Sequence, residues 1–300
     1  MNKNIKLAVA GAVLALSASA NAGIIIPAGD WTLDINGNVN GYANFSKIKG
    51  NNDITGGIVG ARQAHQDNNQ TISTGLLPAW LGFTGKTRQN DLDVEFTISL
   101  QPGISANDVS GDGAFGGTGS KMLNRQTYLS FGDKSWGTIK LGKDLGVFAS
   151  DAILNDMTLL GVGAMGQVGG GGGAASGGLY NTTLGGIGSG YIYAAWKGQI
   201  AYTTPNYNGF QATVALVNPN MLPDTGSGTI LGPGVTPAYQ DRFGLEGKAS
   251  YSFTGSDVTG KVWVGGFSQK VDTSPDNAYA GELGANLNVA GLGLTGYYYS

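Results

Sequence analysis

DLDVEFTISLQ, residues 91–101, alternates without a break: Leu92, Val94, Phe96, Ile98 and Leu100 fall on one side, and Asp93, Glu95, Thr97, Ser99 and Gln101 on the other. A period of two is the mark of a β-strand with two unlike faces. The run is also long. Strands in soluble sandwiches average about five or six residues, whereas a tilted strand that crosses a bilayer needs about nine to eleven. Its polar face carries Asp and Glu as well as Ser and Thr, chemistry suited to a watery interior.

Working outward, the same pattern returns in residues 31–45, where Trp31, Leu33, Ile35, Val39 and Phe45 oppose Thr32, Asp34, Asn36, Asn38 and Asn40. Residues 242–253 and 279–289 repeat it. Shorter versions occupy 80–86, 121–132, 137–142, 199–207, 210–217, 258–271 and 292–299. With turns such as TRQND and PNYNG between them, the chain reads as a meander of about eleven antiparallel strands and no helix of useful length. Aromatics gather at strand ends: Trp31, Phe45, Trp80, Tyr207, Phe210, Tyr239, Phe253, Tyr279 and Tyr297. Rings at both ends of an apolar band are the girdles of two membrane interfaces. The predicted fold is all-β, a transmembrane antiparallel β-barrel with a watery interior.

The N-terminus agrees. Lys3 and Lys6 precede an apolar run over 7–16, and Ala20-Asn21-Ala22 has the form of a cleavage site, so residues 1–22 read as a signal peptide and 23–300 as the barrel domain. The run is too short for a transmembrane anchor, which takes roughly 20 apolar residues. The expected destination is the outer membrane. With no cysteine the exported chain has neither disulfides nor a lipid-bearing N-terminal Cys. Lys+Arg 17 against Asp+Glu 20 makes no basic field for nucleic acid. Gly 53 in 300 residues, beside 9% aromatics, suits many turns and closely paired strands. A secreted solenoid or adhesin would alternate too, but the chain shows no fixed repeat period.

Residues 145–191 form the longest passage without alternation and include GQVGGGGGAASGG. A structureless stretch of that length is usually functional, and a barrel lumen too wide for its own side chains to fill needs narrowing. The expectation is a constriction loop folded inward, its acids facing cations on the wall. By the parity of Leu81, Phe83, Ile139 and Leu141, the cations Lys86, Arg88 and Lys140 belong to the lumen side.

NRQTYLSFGDKSWGTIKLGKDLGVFASDAILNDM, residues 124–157, resembles the strand, tight turn, strand and third-loop start of the general porins of Gram-negative bacteria. There an arginine-led strand, a Gly-x-hydrophobic-x-x-Gly-cation segment and an Asp-bearing loop follow in this order. IAYTTPNYNGFQATVAL, 200–216, resembles the next hairpin, and AWLGFTGKTRQNDLDVEF, 79–96, an earlier one. The resemblance implies a homotrimer of sixteen-stranded barrels, surrounded by outer-membrane lipid and lipopolysaccharide, through which ions and small hydrophilic solutes diffuse passively without a cofactor. It places Asp151 and Asp156 at the family's acidic loop positions and Arg125 and Lys143 at its wall cations. Trp80 stands where many relatives carry an arginine, and Leu160 where a second loop acid is common. These departures point to a constriction weaker in charge or more aromatic. The chain stops at GYYYS, without the terminal aromatic of such barrels, so several strands are expected beyond Ser300, with a twelve-stranded barrel as the alternative.

Other functions find less support. The same barrel could serve only to display its loops. An outer-membrane hydrolase needs a base, and His65, the single histidine, lies in the polar stretch ARQAHQDNNQ with no serine tied to it. VGGGGGAASGG, 168–178, lacks the Gly-Lys-Ser/Thr of a phosphate loop, and DVSGDG, 108–113, lacks the distant Glu of a Ca²⁺ loop. No residue is nominated as catalytic, cofactor-binding or metal-ligating.

Overall fold

The structure, a computed structural model, describes residues 23–39, 41–47, 68–73, 79–102, 122–156, 192, 194–219, 242–270 and 277–300. The expected signal peptide, His65, Leu160, both glycine-rich motifs and residues 157–191 lie outside them. The strands are β1 (Ile24–Ala28), β2 (Trp31–Asn38), β3 (Tyr42–Lys47), β4 (Asn68–Ser73), β5 (Trp80–Gln89), β6 (Leu92–Pro102), β7 (Met122–Asp133), β8 (Gly137–Leu145), β9 (Trp196–Thr203), β10 (Phe210–Val217), β11 (Gly244–Thr254), β12 (Val258–Lys270), β13 (Asn277–Val289) and β14 (Leu292–Tyr299); one short helix, α1 (Ser150–Leu154), follows β8.

Twelve of these strands form one antiparallel sheet in the order β1-β2-β5-β6-β7-β8-β9-β10-β11-β12-β13-β14, while β3 and β4 pair separately. Apart from the step from β2 to β5, each strand of the sheet lies beside its successor in the chain, as a meander requires. The main sheet has one strand more than the expected eleven, β1, and two further strands, β3 and β4, stand outside it. The 31–45 run divides, β2 ending at Asn38 and β3 pairing away from the sheet. And β1, IIIPA, has no alternation to detect, being an exposed edge strand that tolerates Pro27. The sheet is open, with β1 and β14 as its edges.

Tight turns and long connections alternate. At the β5–β6 turn Asn90 and Asp91 both take positive φ, 50° and 63°, the left-handed pair that matches the twist of a two-residue hairpin. Such turns follow β5, β7, β9, β11 and β13 on one rim, and the long connections after β2, β6, β8 and β10 leave from the other. Short periplasmic turns opposite long external loops are the arrangement of outer-membrane barrels.

The two faces are inverted relative to a soluble protein. Leu129, Leu141, Ile200, Leu216 and Leu245 form one rung across five neighbouring strands, and each is between 43 and 53% exposed. On the opposite face Ser99, Gln101, Asp144, Lys197, Gln199, Glu246 and Glu282 are buried. Bare leucines and covered charges make sense where the outer solvent is hydrocarbon and the inner one is water and protein. Near the turn rim the aromatics close ranks: Trp31 against Phe96 at 5.8 Å, Phe131 against Trp136 at 6.5 Å, Tyr251 stacked on Phe253 at 6.2 Å. The Tyr202 hydroxyl donates to the Trp136 carbonyl at 2.6 Å. This is an interfacial girdle, with apolar ring bodies and polar tips.

Candidate functional site

The connection after β8 turns to the polar face immediately. Gly146 donates its N–H to the Ala195 carbonyl at 2.8 Å, so the two ends of the connection are pinched together. A Cβ on Gly146 would lie 2.3 Å from the Ala194 carbonyl oxygen, which is why the closest approach falls on a glycine. Val147, Phe148, Ala149 and α1 then lie along the inner face, and polar groups of β9, β11, β12 and β13 hold them.

Three consecutive backbone N–H groups meet wall carboxylates: Val147 and Phe148 donate to Glu246 Oε2 at 2.7 and 3.0 Å, and Ala149 donates to Glu282 Oε1 at 3.1 Å. Ala149 takes φ 59°, a left-handed turn that directs its N–H to the wall and starts α1 from there. Lys197 on β9 pairs with the other oxygen of Glu246 at 2.5 Å, and the Tyr297 hydroxyl donates to Glu282 at 2.8 Å. Asp151, on the first turn of α1, pairs with Lys248 of β11 at 2.9 Å and with Lys261 of β12. Lys248 also donates to Ser150 Oγ at 2.7 Å. Charge-assisted hydrogen bonds of this kind are roughly twice as strong as neutral ones. Burial pushes the Asp151 carboxyl up, but Lys248 and Lys261 outweigh it and hold the group below its ordinary value.

An apolar contact completes the latch. Phe148, Ala149, Ala152, Ile153 and Ala194 form a buried cluster, with Phe267, Ala280 and Tyr297 of the wall packed against it. The Phe148 and Phe267 rings meet edge to face at 4.9 Å. Small wall residues make room beside it: a Cβ on Gly284 would lie 2.0 Å from the Trp263 ring.

Across the inner face, β5 to β8 carry a second charged array. Arg88 pairs with Asp93 at 2.8 Å and Asp133 at 3.0 Å, near the turn rim. One rung inward Lys86 pairs with Glu95 at 3.1 Å, which also accepts the Tyr128 hydroxyl at 2.9 Å. Lys140 pairs with Asp144 and sits 4.5 Å above the Tyr128 ring. Gln126 donates to the second Asp144 oxygen at 3.1 Å.

The residues nominated from sequence therefore separate into three groups. Trp80, Lys86, Arg88 and Lys140 lie on the inner face, where Trp80 donates its indole N–H to Asn36 at 3.2 Å. Asp151 and Asp156 lie on the inward-folded segment, but only Asp156 is left partly exposed; Asp151 is buried and bound to two lysines. Arg125 and Lys143 do not join them. The register sets Lys143 on the outer face with Ile139 and Leu141, opposite Lys140 and Asp144. Arg125 occupies an irregularity in the β6–β7 ladder, and its guanidinium lies 5.8 Å over Trp196, a neighbour of Ile200 on that same outer face. The family resemblance aligns these two cations by motif, whereas the strand register, not the motif, fixes which face they take. The wall residues that hold the loop, Lys197, Glu246, Lys248, Lys261 and Glu282, were missed. Their alternation was visible, but nothing local says which wall positions a distant loop will touch.

A one-sided apolar sheet with a polar inner wall defines an outer-membrane β-barrel protein. The family model for Gram-negative porins matches residues 7–300, and the chain belongs to that family. No curated protein matches the chain. Among solved structures it is similar to Salmonella typhi OmpF in complex with daunomycin, with TM-score 0.54 and 13% identity over 92% of this chain and 67% of that one. Pseudomonas putida OprB at high pH gives 0.45 and 12%, over 87% and 61%. A loop-deletion mutant of Vibrio cholerae OmpT gives 0.41 and 12%, over 90% and 81%. The OmpF likeness bears on the fold alone. The chain is an outer-membrane porin of barrel type, and what passes through it is a separate matter.

Proposed function

We propose that the protein is a passive, non-enzymatic channel for ions and small hydrophilic solutes, assembled as a homotrimer, with the segment after β8 as its constriction. The observation that carries this reading is the latch of residues 147–154 on the same inner face that carries the charged array of β5 to β8. A segment held by carboxylates, lysines and an aromatic contact reduces the open cross-section. The opposing charges then act on solutes at close range. Lys86, with its side chain 62% exposed on the inner face, is the array's cation most available to a passing ion, and Asp156 is the most available acid of the loop.

Single-channel recording in planar bilayers under a salt gradient tests the reading. The unmodified protein is expected to give open steps that close in threes. Lys86→Gln is expected to shift selectivity towards cations, and Asp156→Asn to shift it towards anions. A heat-modifiable, membrane-inserted protein that passes no current would overturn the channel.

A further inference from the structure

Asp34, on the inner face of β2, has a carboxylate oxygen that the strands around it leave without a donor. Its Oδ1 is buried and has no hydrogen-bond partner among the described residues. A buried anionic oxygen in that state is costly and calls for an explanation. Neither strand pairing supplies a donor. Ile25 of β1, opposite Asp34, is apolar, and Thr84 of β5, opposite it on the other side, shares its hydroxyl with Thr97 at 3.0 Å. Lys86, the inner-face cation one rung away, is paired with Glu95 at 3.1 Å. What does approach the oxygen is Gly23, immediately before β1: a Cβ there would lie 2.2 Å from Asp34 Oδ1. Standard bond lengths set a residue's nitrogen about 2.5 Å from its Cβ, so the Gly23 nitrogen lies within about 4.7 Å of Oδ1.

Gly23 is also the residue that follows the Ala20-Asn21-Ala22 cleavage signal. While the Ala22–Gly23 bond is intact, that nitrogen is a neutral amide. Hydrolysis of the bond consumes one water, leaves Ala22 as a carboxylate and turns the Gly23 nitrogen into an ammonium with three donors. We propose that this new α-ammonium is the counter-ion of Asp34 and pins the start of β1 to β2, a reading that rests on cleavage after Ala22. The strand needs such a pin. Its sequence IIIPA does not alternate, and a strand without unlike faces has a weakly specified register. The turn at Gly29 and Asp30 fixes the far end of the strand, and the ion pair fixes the near end. Any side chain at position 23 would strike the carboxylate, which accounts for the glycine. The precursor cannot make the pair, so processing completes this edge of the sheet.

Intact mass and amine labelling test the pair in protein exported with its own signal and extracted from outer membranes in mild detergent. The mature chain is expected to begin at Gly23. At neutral pH an activated ester should acylate the Gly23 α-amine about tenfold more slowly in the folded protein than in the denatured one, because an ammonium held by a carboxylate gives up its proton less readily. Folded, heat-modifiable Asp34→Asn should react about fivefold faster than the unmodified protein, and Asp257→Asn, which alters an exposed turn, at the unmodified rate. An alanine inserted between Ala22 and Gly23 leaves Asp34 untouched and carries the ammonium about 3.4 Å along the chain; it should also speed labelling about fivefold. A mature chain that starts elsewhere overturns the proposal. So does an α-amine that reacts as fast in the folded protein as in the denatured one. Slow labelling kept by folded Asp34→Asn, or by the lengthened chain where Asp34→Asn does not fold, overturns it too and leaves burial of the strand start as the cause.

Discussion

Asp151 changes role between sequence and structure. Its spacing after a porin-like strand suggests a loop acid facing the lumen, yet its carboxylate is spent on Lys248 and Lys261. Asp151→Asn removes the charge and leaves two lysines without their counter-ion. A hydrogen bond to a charged group is worth about 1.5–3 kcal/mol, so amide exchange over residues 147–154 should rise roughly tenfold or more while the strands stay protected. The pH dependence has a definite sign. A carboxyl held below its ordinary value of 3.8 stabilises the latched state above that pH, and the contribution is lost as pH falls through the lowered value. The protection of the loop amides, that is, exchange relative to the intrinsic rate at each pH, should therefore fall as pH drops below the ordinary carboxyl range, and Asp151→Asn should flatten that response. Gly284→Ala belongs to the same scale. With 2.0 Å between the new Cβ and a buried Trp263 ring, overpacking costs about 1–3 kcal/mol, read as a lower denaturation midpoint of the folded barrel.

At the scale of elements, strand parity does most of the explaining. The rung Leu129, Leu141, Ile200, Leu216 and Leu245 faces hydrocarbon, and one residue away on β9 lies Gln199, buried on the inner face. Leu216→Arg should cost about 2–4 kcal/mol near the bilayer midplane, measured as a shift in unfolding from lipid vesicles. Gln199→Ala, which removes one hydrogen bond to the Leu145 carbonyl, should cost about 1 kcal/mol. Equal costs for the two would contradict the assignment of faces. Parity also explains the place of Lys143: applied to β8 it separates Lys143 from Lys140 without any structure, since odd positions carry Ile139 and Leu141. The strand that escaped, β1, is the one whose residues do not alternate, because an exposed apolar edge gives no contrast between faces.

For the whole molecule, twelve strands in meander order, a girdle and a polar inner wall place the protein among Gram-negative porins. In the proposed channel, conductance should depend on the latch as a unit. Glu246→Gln breaks its ion pair with Lys197 and weakens the acceptor of two backbone N–H groups. It is expected to increase current fluctuations in the open state, because the loop then samples more than one position. The alternation of residues 91–101 and its repeats was enough to determine the fold class, the strand direction and the face of nearly every wall residue, because a bilayer outside and water inside impose a contrast on each pair of neighbours. Which carboxylates and lysines on β9, β11, β12 and β13 receive the loop was decided only by the tertiary structure. Those contacts join residues about 100 to 130 positions apart, and period-two patterning carries no information about curvature or about which rung a distant segment will meet.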